Sequence, residues 1–295
     1  MSSITNKDLH PEIFRLFDQY VHDQISRREF LHRAGSYVAG GLTAAAVLTY
    51  LSPRYAAAQQ VGPDDPRIGE EYIEYDSPEG GGKIRALLAW PANNTEVLPG
   101  VVVVHENRGL NPHIEDVCRR TALAGFLALT PDMLSPLGGY PGNDDEGRIL
   151  QRQRDRGKML NDFIAAYETL HAHELCTGRI GVVGFCFGGS IANLMATRLP
   201  ELGAAVPFYG GAAPIDDVPQ IQAPLLLHFA EEDPRVNASW PAYEDALKTH
   251  GKTYTAHVYP GVQHGFHNDT TPRYDEEAAK LAWERTLAFF NEHLR

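Results

Sequence analysis

From Val61 to the C-terminus, strand-like and helix-like patterns of apolar positions alternate. The segments "EEYIEY" and "KIRALLAWP" read as two opening strands joined by the turn "SPEGGG". The uninterrupted run "GVVVVHE" has the composition of a strand covered on both faces, as in a parallel sheet. "IEDVCRRTALAG" spaces its apolar residues for a helix that stops at Gly125, and "FLALTPD" follows as a strand. A polar loop, "MLSPLGGYPGNDDEG", then leads into a charged helix through "RILQRQRDRGKMLNDFIAAYETLHAH". "GRIGVVGF" is the next strand and "GGSIANLMATRL" the helix directly after it. Three more strands, "LGAAVPFYG", "APLLLHFAEED" and "YTAHVYPGV", are separated and followed by helices in "SWPAYEDALKTHG" and "YDEEAAKLAWERTLAFFNEHL". The alternation predicts the α/β class: a mostly parallel central sheet, helices on both faces, and a ligand site at the carboxyl ends of the strands.

Residues 1–58 are a different kind of sequence. Arg27-Arg28 precedes Phe30 and Leu31, and an uncharged stretch from Ala34 to Leu51 is diluted by Gly35, Gly40 and Gly41. Ala56-Ala57-Ala58 then satisfies the small-x-small rule for cleavage. The segment resembles a twin-arginine export signal, which implies the export machinery as a partner, cleavage after Ala58 and a periplasmic or exported protein. On that reading no stable membrane insertion follows cleavage. Two alternatives are an uncleaved membrane anchor, at the low edge of spanning length, and a helical decoration of the domain formed by residues 59–295.

The 295 residues suffice for one large α/β domain beyond this segment. A net charge of −12 without a concentrated basic patch argues against a nucleic-acid partner. Three cysteines make no disulfide framework, and neither C-x-x-C nor H-E-x-x-H spacing occurs, so no metal site and no cofactor are expected. The histidines of "HAH" at 171–173 read as a solvated helix end.

The chemistry-bearing stretch is "GFCFGG" at 184–189. A strand runs straight into Cys186 and a helix begins directly behind it, the context of a nucleophile elbow. Gly184 and Gly188 permit the sharp turn, the helix N-terminus favours a thiolate, and the backbone N–H of Phe187 is a natural oxyanion donor. In the chain order nucleophile, acid, histidine, the base falls in "YPGVQHGFHN", with His264 favoured over His267. His228, inside "LLLHF", reads as a core histidine. The orienting carboxylate falls in "HFAEEDPRV", where Asp233 is preferred and Glu231 and Glu232 are ordinary loop carboxylates. Glu106, at the carboxyl end of "VVVVH", points toward the same pocket or pairs with Arg108. In the pocket it would keep the resting thiol protonated by repelling a thiolate.

"HENRGL", "GFCFGG", "EEDPRV" and "QHGFHN" together resemble the dienelactone hydrolase family of the α/β-hydrolase fold, over about Glu70 to the C-terminus. The resemblance implies Cys186 as nucleophile, Asp233 and His264 completing a triad, and Glu106 as the carboxylate that controls the thiol. It further implies an oxyanion hole from the N–H groups of Asn107 and Phe187. Family members of the best-known type hold a substrate carboxylate with arginines. The position shortly after the histidine is Asn268 here, and Arg108, Arg235 and Arg273 are the replacements considered. A thiolate attacks a lactone or activated ester readily and leaves a thioester that water resolves. The activity implied is therefore a cofactor-free lactone or ester hydrolase acting on a small molecule. The alternatives are acyl transfer or cleavage of another activated carbonyl on the same triad, and a catalytically silent binding protein.

Overall fold

The computed structural model describes residues 4–38 and 41–295, so Gly40 of the apolar N-terminal stretch lies outside it. Helix α1 (Pro11–Val21) begins with proline at its first position, and His10 accepts a hydrogen bond from the N–H of Glu12. Its buried residues Ile13, Leu16, Phe17 and Tyr20 follow the i, i+3, i+4, i+7 spacing of an amphipathic helix. Helix α2 (Arg27–Ala34) is capped by Ser26 and α3 (Ala44–Leu51) by Thr43, and a single turn, α4 (Tyr55–Ala58), ends the segment. Helices α1 to α3 share a core in which Phe17, Tyr20, Phe30, Val47 and Leu51 are buried. Among the described residues, no helix is long and apolar enough to cross a membrane.

The remainder winds around one eight-stranded sheet of order β1-β2-β4-β3-β5-β6-β7-β8. Its strands are β1 (Ile68–Ser77), β2 (Gly82–Pro91), β3 (Leu98–Val104), β4 (Leu127–Pro131), β5 (Cys176–Phe185), β6 (Ala204–Phe208), β7 (Leu225–Glu232) and β8 (Tyr254–Gln263). β2 runs antiparallel to both β1 and β4, and all pairs from β4 to β8 are parallel. Every residue of β3, β4 and β6 is buried, as the continuous apolar runs predict.

Helices α5 (Pro112–Leu123), α6 (Asp144–Gln153), α7 (Arg156–His171) and α8 (Phe187–Arg198) follow in chain order, then α9 (Pro234–Asn237), α10 (Trp240–Thr249) and α11 (Glu276–Leu294). Two apolar cores result, one around Val102, Phe163 and Met195, the other around Val103, Phe185 and Phe290. The charged segment expected as one helix is two. Asp155 adopts an extended backbone and caps α7 by accepting from the N–H of Lys158, which breaks the run after Gln153.

The N-terminal helices lie against the carboxyl end of this sheet. The Asn107 side chain, just past β3, donates to the carbonyl of Val21 at 2.7 Å. The N–H of Arg54 donates to the carbonyl of Thr270 at 2.8 Å, and Asp23 pairs with Arg148 and Arg152 at 3.0 and 3.1 Å.

Candidate active site

β5 delivers Cys186 to the turn before α8 with φ 57° and ψ −110°, a left-handed backbone unusual for a residue with a side chain. Close packing on either side holds it there. A Cβ on Gly184 would lie 2.0 Å from the carbonyl oxygen of Gly188, and one on Gly188 would lie 2.3 Å from that of Val104. Both contacts are with backbone, which cannot swing aside. Gly188→Ala is therefore expected to lower Tm by several degrees, since overpacking costs ~1–3 kcal/mol and ~1 kcal/mol moves Tm by ~2–4 °C in larger domains. An unchanged melting curve would show that the elbow has room to spare. Phe187 opens α8, so its N–H has no acceptor within the helix.

β7 and β8 supply the partners. Asp233 caps α9 and its Oδ2 accepts a hydrogen bond from Nδ1 of His264 at 2.5 Å. That bond leaves Nε2 as the working nitrogen of His264; it is buried and makes no hydrogen bond among the described residues. A second imidazole, from a residue outside the expected set, also reaches the sulfur. His22, just after α1, places Nε2 3.3 Å from Sγ of Cys186. Its Nδ1 bonds the carbonyl of Asp18 at 2.8 Å and lies 3.1 Å from that residue's Oδ1. Asp18 and His22 stand four apart on one face of an amphipathic helix, a readable spacing. The segment's likeness to an export signal draws attention away from it.

The electrostatics follow from this crowding. Burial raises the pKa of Cys186, but the charges of His264 and His22 and the His22 hydrogen bond outweigh it and bring the thiol down to about 5. Burial depresses His264, while the Cys186 thiolate and Asp233 lift it to about 10. The protonated resting thiol expected from Glu106 is thus corrected: the charges nearest the sulfur are two imidazoles. Glu106 is buried and its Oε2 accepts from Nδ2 of Asn268 at 3.0 Å. Arg108 pairs with Asp144 at 2.6 Å, so its ion pair with Glu106 is not formed.

Among the other candidates, His267 is buried against Phe185, and burial drives its pKa down to about 3, which leaves it neutral. His228 is a core histidine bonded to Tyr259 and Thr286. Glu231 and Glu232 are exposed.

A cavity of about 460 Å³ reaches Cys186 between His22, Asn107, Tyr209 and α6–α7. Arg235 lines it, as do Arg148, Arg152, Arg154 and Arg156, whereas Arg108 and Arg273 do not. Arg235 Nη2 lies 3.0 Å from Nε2 of His22, and buried Arg273 lies 3.7 Å from Asp18. Donor atoms of His22, Cys186 and His264 all fall within 4.8 Å of one another, a set that sequence spacing did not reveal. The guanidinium of Arg235 beside them opposes a metal cation there.

The family model described as "Dienelactone hydrolase family" matches residues 84–294, and one described as "YqhI-like" matches residues 1–40. A Saccharolobus solfataricus protein named "Putative carboxymethylenebutenolidase" is 33% identical over 75% of this chain and 97% of its own length. A Bradyrhizobium protein named "Probable 2-oxo-3-(5-oxofuran-2-ylidene)propanoate lactonase" is 34% identical over 71% of this chain and 89% of its own. The crystal structure of a "Putative Dienelactone Hydrolase" from Klebsiella pneumoniae superposes with a TM-score of 0.67 at 29% identity, covering 76% of this chain and 99% of that one.

Proposed function

Since this chain belongs to the dienelactone hydrolase family, whose members cleave lactones and esters, we propose that it does so through a Cys186–His264–Asp233 triad and a thioester acyl-enzyme. The observation that carries the reading is the thiol on a strained elbow, held low by an imidazole whose far nitrogen is fixed 2.5 Å from Asp233.

The thiolate attacks the carbonyl carbon, and the N–H groups of Phe187, at the start of α8, and of Asn107, past the end of β3, receive the developing oxyanion. The leaving oxygen takes the proton of the His264 imidazolium as its bond to carbon breaks. Water then attacks the thioester, a base takes its proton, and the thiolate leaves. Arg148 and Arg152 are paired with Asp23 and Arg154 with Asp162, which leaves Arg156 and Arg235 along the cavity to meet a lactone or ester bearing a carboxylate. Of the three arginines considered from sequence, Arg235 is the one in position to meet it.

Two measurements test the mechanism. Intact mass after quenching should show one acyl adduct, on Cys186. For an alkyl ester, kcat/KM should rise through about pH 5 and fall through about pH 10. Below the first value the sulfur keeps its proton; above the second, His264 has none to give the leaving group. A profile that rises only near pH ~8.5, where an ordinary free thiol ionises, would remove the ion pair from the mechanism.

Export through Arg27-Arg28 is a separate proposal. Cleavage after Ala58 would take away the helices that wall the cavity, and N-terminal sequencing of the mature protein, starting at Gln59 or upstream of it, decides the matter.

A further inference from the structure

Cys186 faces two imidazoles, and one of them arrives from outside the hydrolase domain. The wiring of the two is similar: Nδ1 of His264 is bonded to the Asp233 carboxylate, and Nδ1 of His22 to the backbone carbonyl of Asp18, with that residue's Oδ1 3.1 Å away. Both thereby present Nε2 to the space around the sulfur. The rings meet edge to face with centroids 4.7 Å apart. Their access to solvent differs. The cavity that reaches Cys186 is lined by His22 and not by His264, which borders a separate space of about 250 Å³ with Asp18, Asp233 and Arg273. The first cavity offers water a path to a thioester on Cys186, and the imidazole that lines it is His22.

We infer that Asp18 and His22 form a second acid–base pair of the catalytic centre, in which His22 deprotonates the water that resolves the acyl-enzyme while His264 serves acylation. The inference rests on the thioester mechanism proposed above. It makes the N-terminal helices a working part of the enzyme: a chain cut after Ala58 would lack both residues.

The proton inventory closes. Acylation forms the Sγ–C bond, breaks the ester C–O bond and sends the His264 proton to the leaving oxygen, so the sulfur loses its negative charge. The Cys186 charge is the leading influence holding a proton on His22 against burial. When acylation removes that charge, the Nε2 proton passes to solvent through the cavity that His22 lines, and Nε2 is left to act as a base. Arg235, whose guanidinium can only donate, lies 3.0 Å from that nitrogen and favours its lone pair. Asp18 stays on Nδ1 and supports the imidazolium that forms. Water gives one proton to Nε2 as its oxygen bonds the carbonyl carbon. The C–S bond then breaks and the thiolate is released beside a cation, now on His22. A proton taken up by His264 from solvent restores the starting state.

The test compares full-length wild type with His22→Gln and Asp18→Asn, using p-nitrophenyl acetate in stopped flow and steady state. Loss of a general base costs ~10²–10⁴ in the step it serves. His22→Gln should release about one equivalent of p-nitrophenol per enzyme in a burst and then turn over ~10²-fold more slowly than wild type. KM should fall along with kcat, kcat/KM should hold within about threefold, and acetylated Cys186 should accumulate by mass. Asp18→Asn should show the same pattern, more weakly. A His22→Gln protein with wild-type kcat overturns the inference. So does a parallel fall of kcat and kcat/KM without acetyl-enzyme, which would mean that His22 only shapes the site. Cys186→Ala separates the two levels: if it still hydrolyses the ester, the thioester mechanism itself fails, whereas a missing burst in His22→Gln alone removes only the second pair.

Discussion

Cys186→Ala is expected to lower lactone and ester hydrolysis by ~10⁴ or more, since removing the nucleophile of a triad costs nearly all of the covalent pathway. The effect should be confined to this cysteine. Cys118 is fully buried in α5 and burial pushes its thiol far up, so it is a neutral packing residue. Cys176 opens β5 with its pKa also raised by burial. Neither has an imidazole or a strained turn to activate it. Alanine at 118 and 176 should leave kcat near wild type, and iodoacetamide at neutral pH should label Cys186 first, because alkylation requires thiolate. Cys186→Ala should also fold, since its Cβ remains at the same φ of 57°. A Cys186→Ala protein with wild-type turnover would end the assignment.

Asp233→Asn is expected to cost ~10³–10⁴ in kcat with little loss of stability. The carboxylate accepts Nδ1–H of His264; a carboxamide can present its NH₂ instead, which favours the wrong tautomer and removes the charge that supports the imidazolium. The same loss lowers the proton affinity of His264 and so weakens its hold on the thiolate, moving the acid limb of the pH profile upward. The structural duty of Asp233 survives the change. Its other contact is as the N-cap of α9, accepting from Val236, and asparagine caps a helix about as well as aspartate. Asp233 is held below its ordinary pKa because the charge and hydrogen bond of His264 outweigh burial. In the wild type it therefore contributes stability above the usual carboxylate range that is lost as pH falls, and the asparagine protein should lose less across that acid range. A near-normal kcat would remove Asp233 from the triad.

Residues 59–295 carry their architecture openly in the sequence. The buried strands are continuous apolar runs, and a run of that kind can satisfy its backbone only inside a sheet covered on both faces. The elbow was equally legible, because glycines at 184 and 188 around a cysteine at a strand–helix junction leave few other structures. Asp233 and His264 followed from chain order, since each stands just past a strand end on the side of the sheet where Cys186 emerges. The break at Arg154-Asp155 was less visible, because a helix cap within a charged run changes no hydrophobic period.

What only the tertiary structure decided is what surrounds the sulfur. Sequence motifs report neighbours along the chain, whereas a thiol's proton depends on charges brought within a few ångströms by packing. Glu106 stands two residues past the end of β3, yet Asn268 takes its hydrogen bond and Asp144 takes Arg108, leaving the imidazoles to set the thiol. His22 lies 164 residues from Cys186 along the chain. No local pattern joins them; the contact exists because the apolar face of α1 packs into its own small core and Asn107 fastens the end of that helix at Val21.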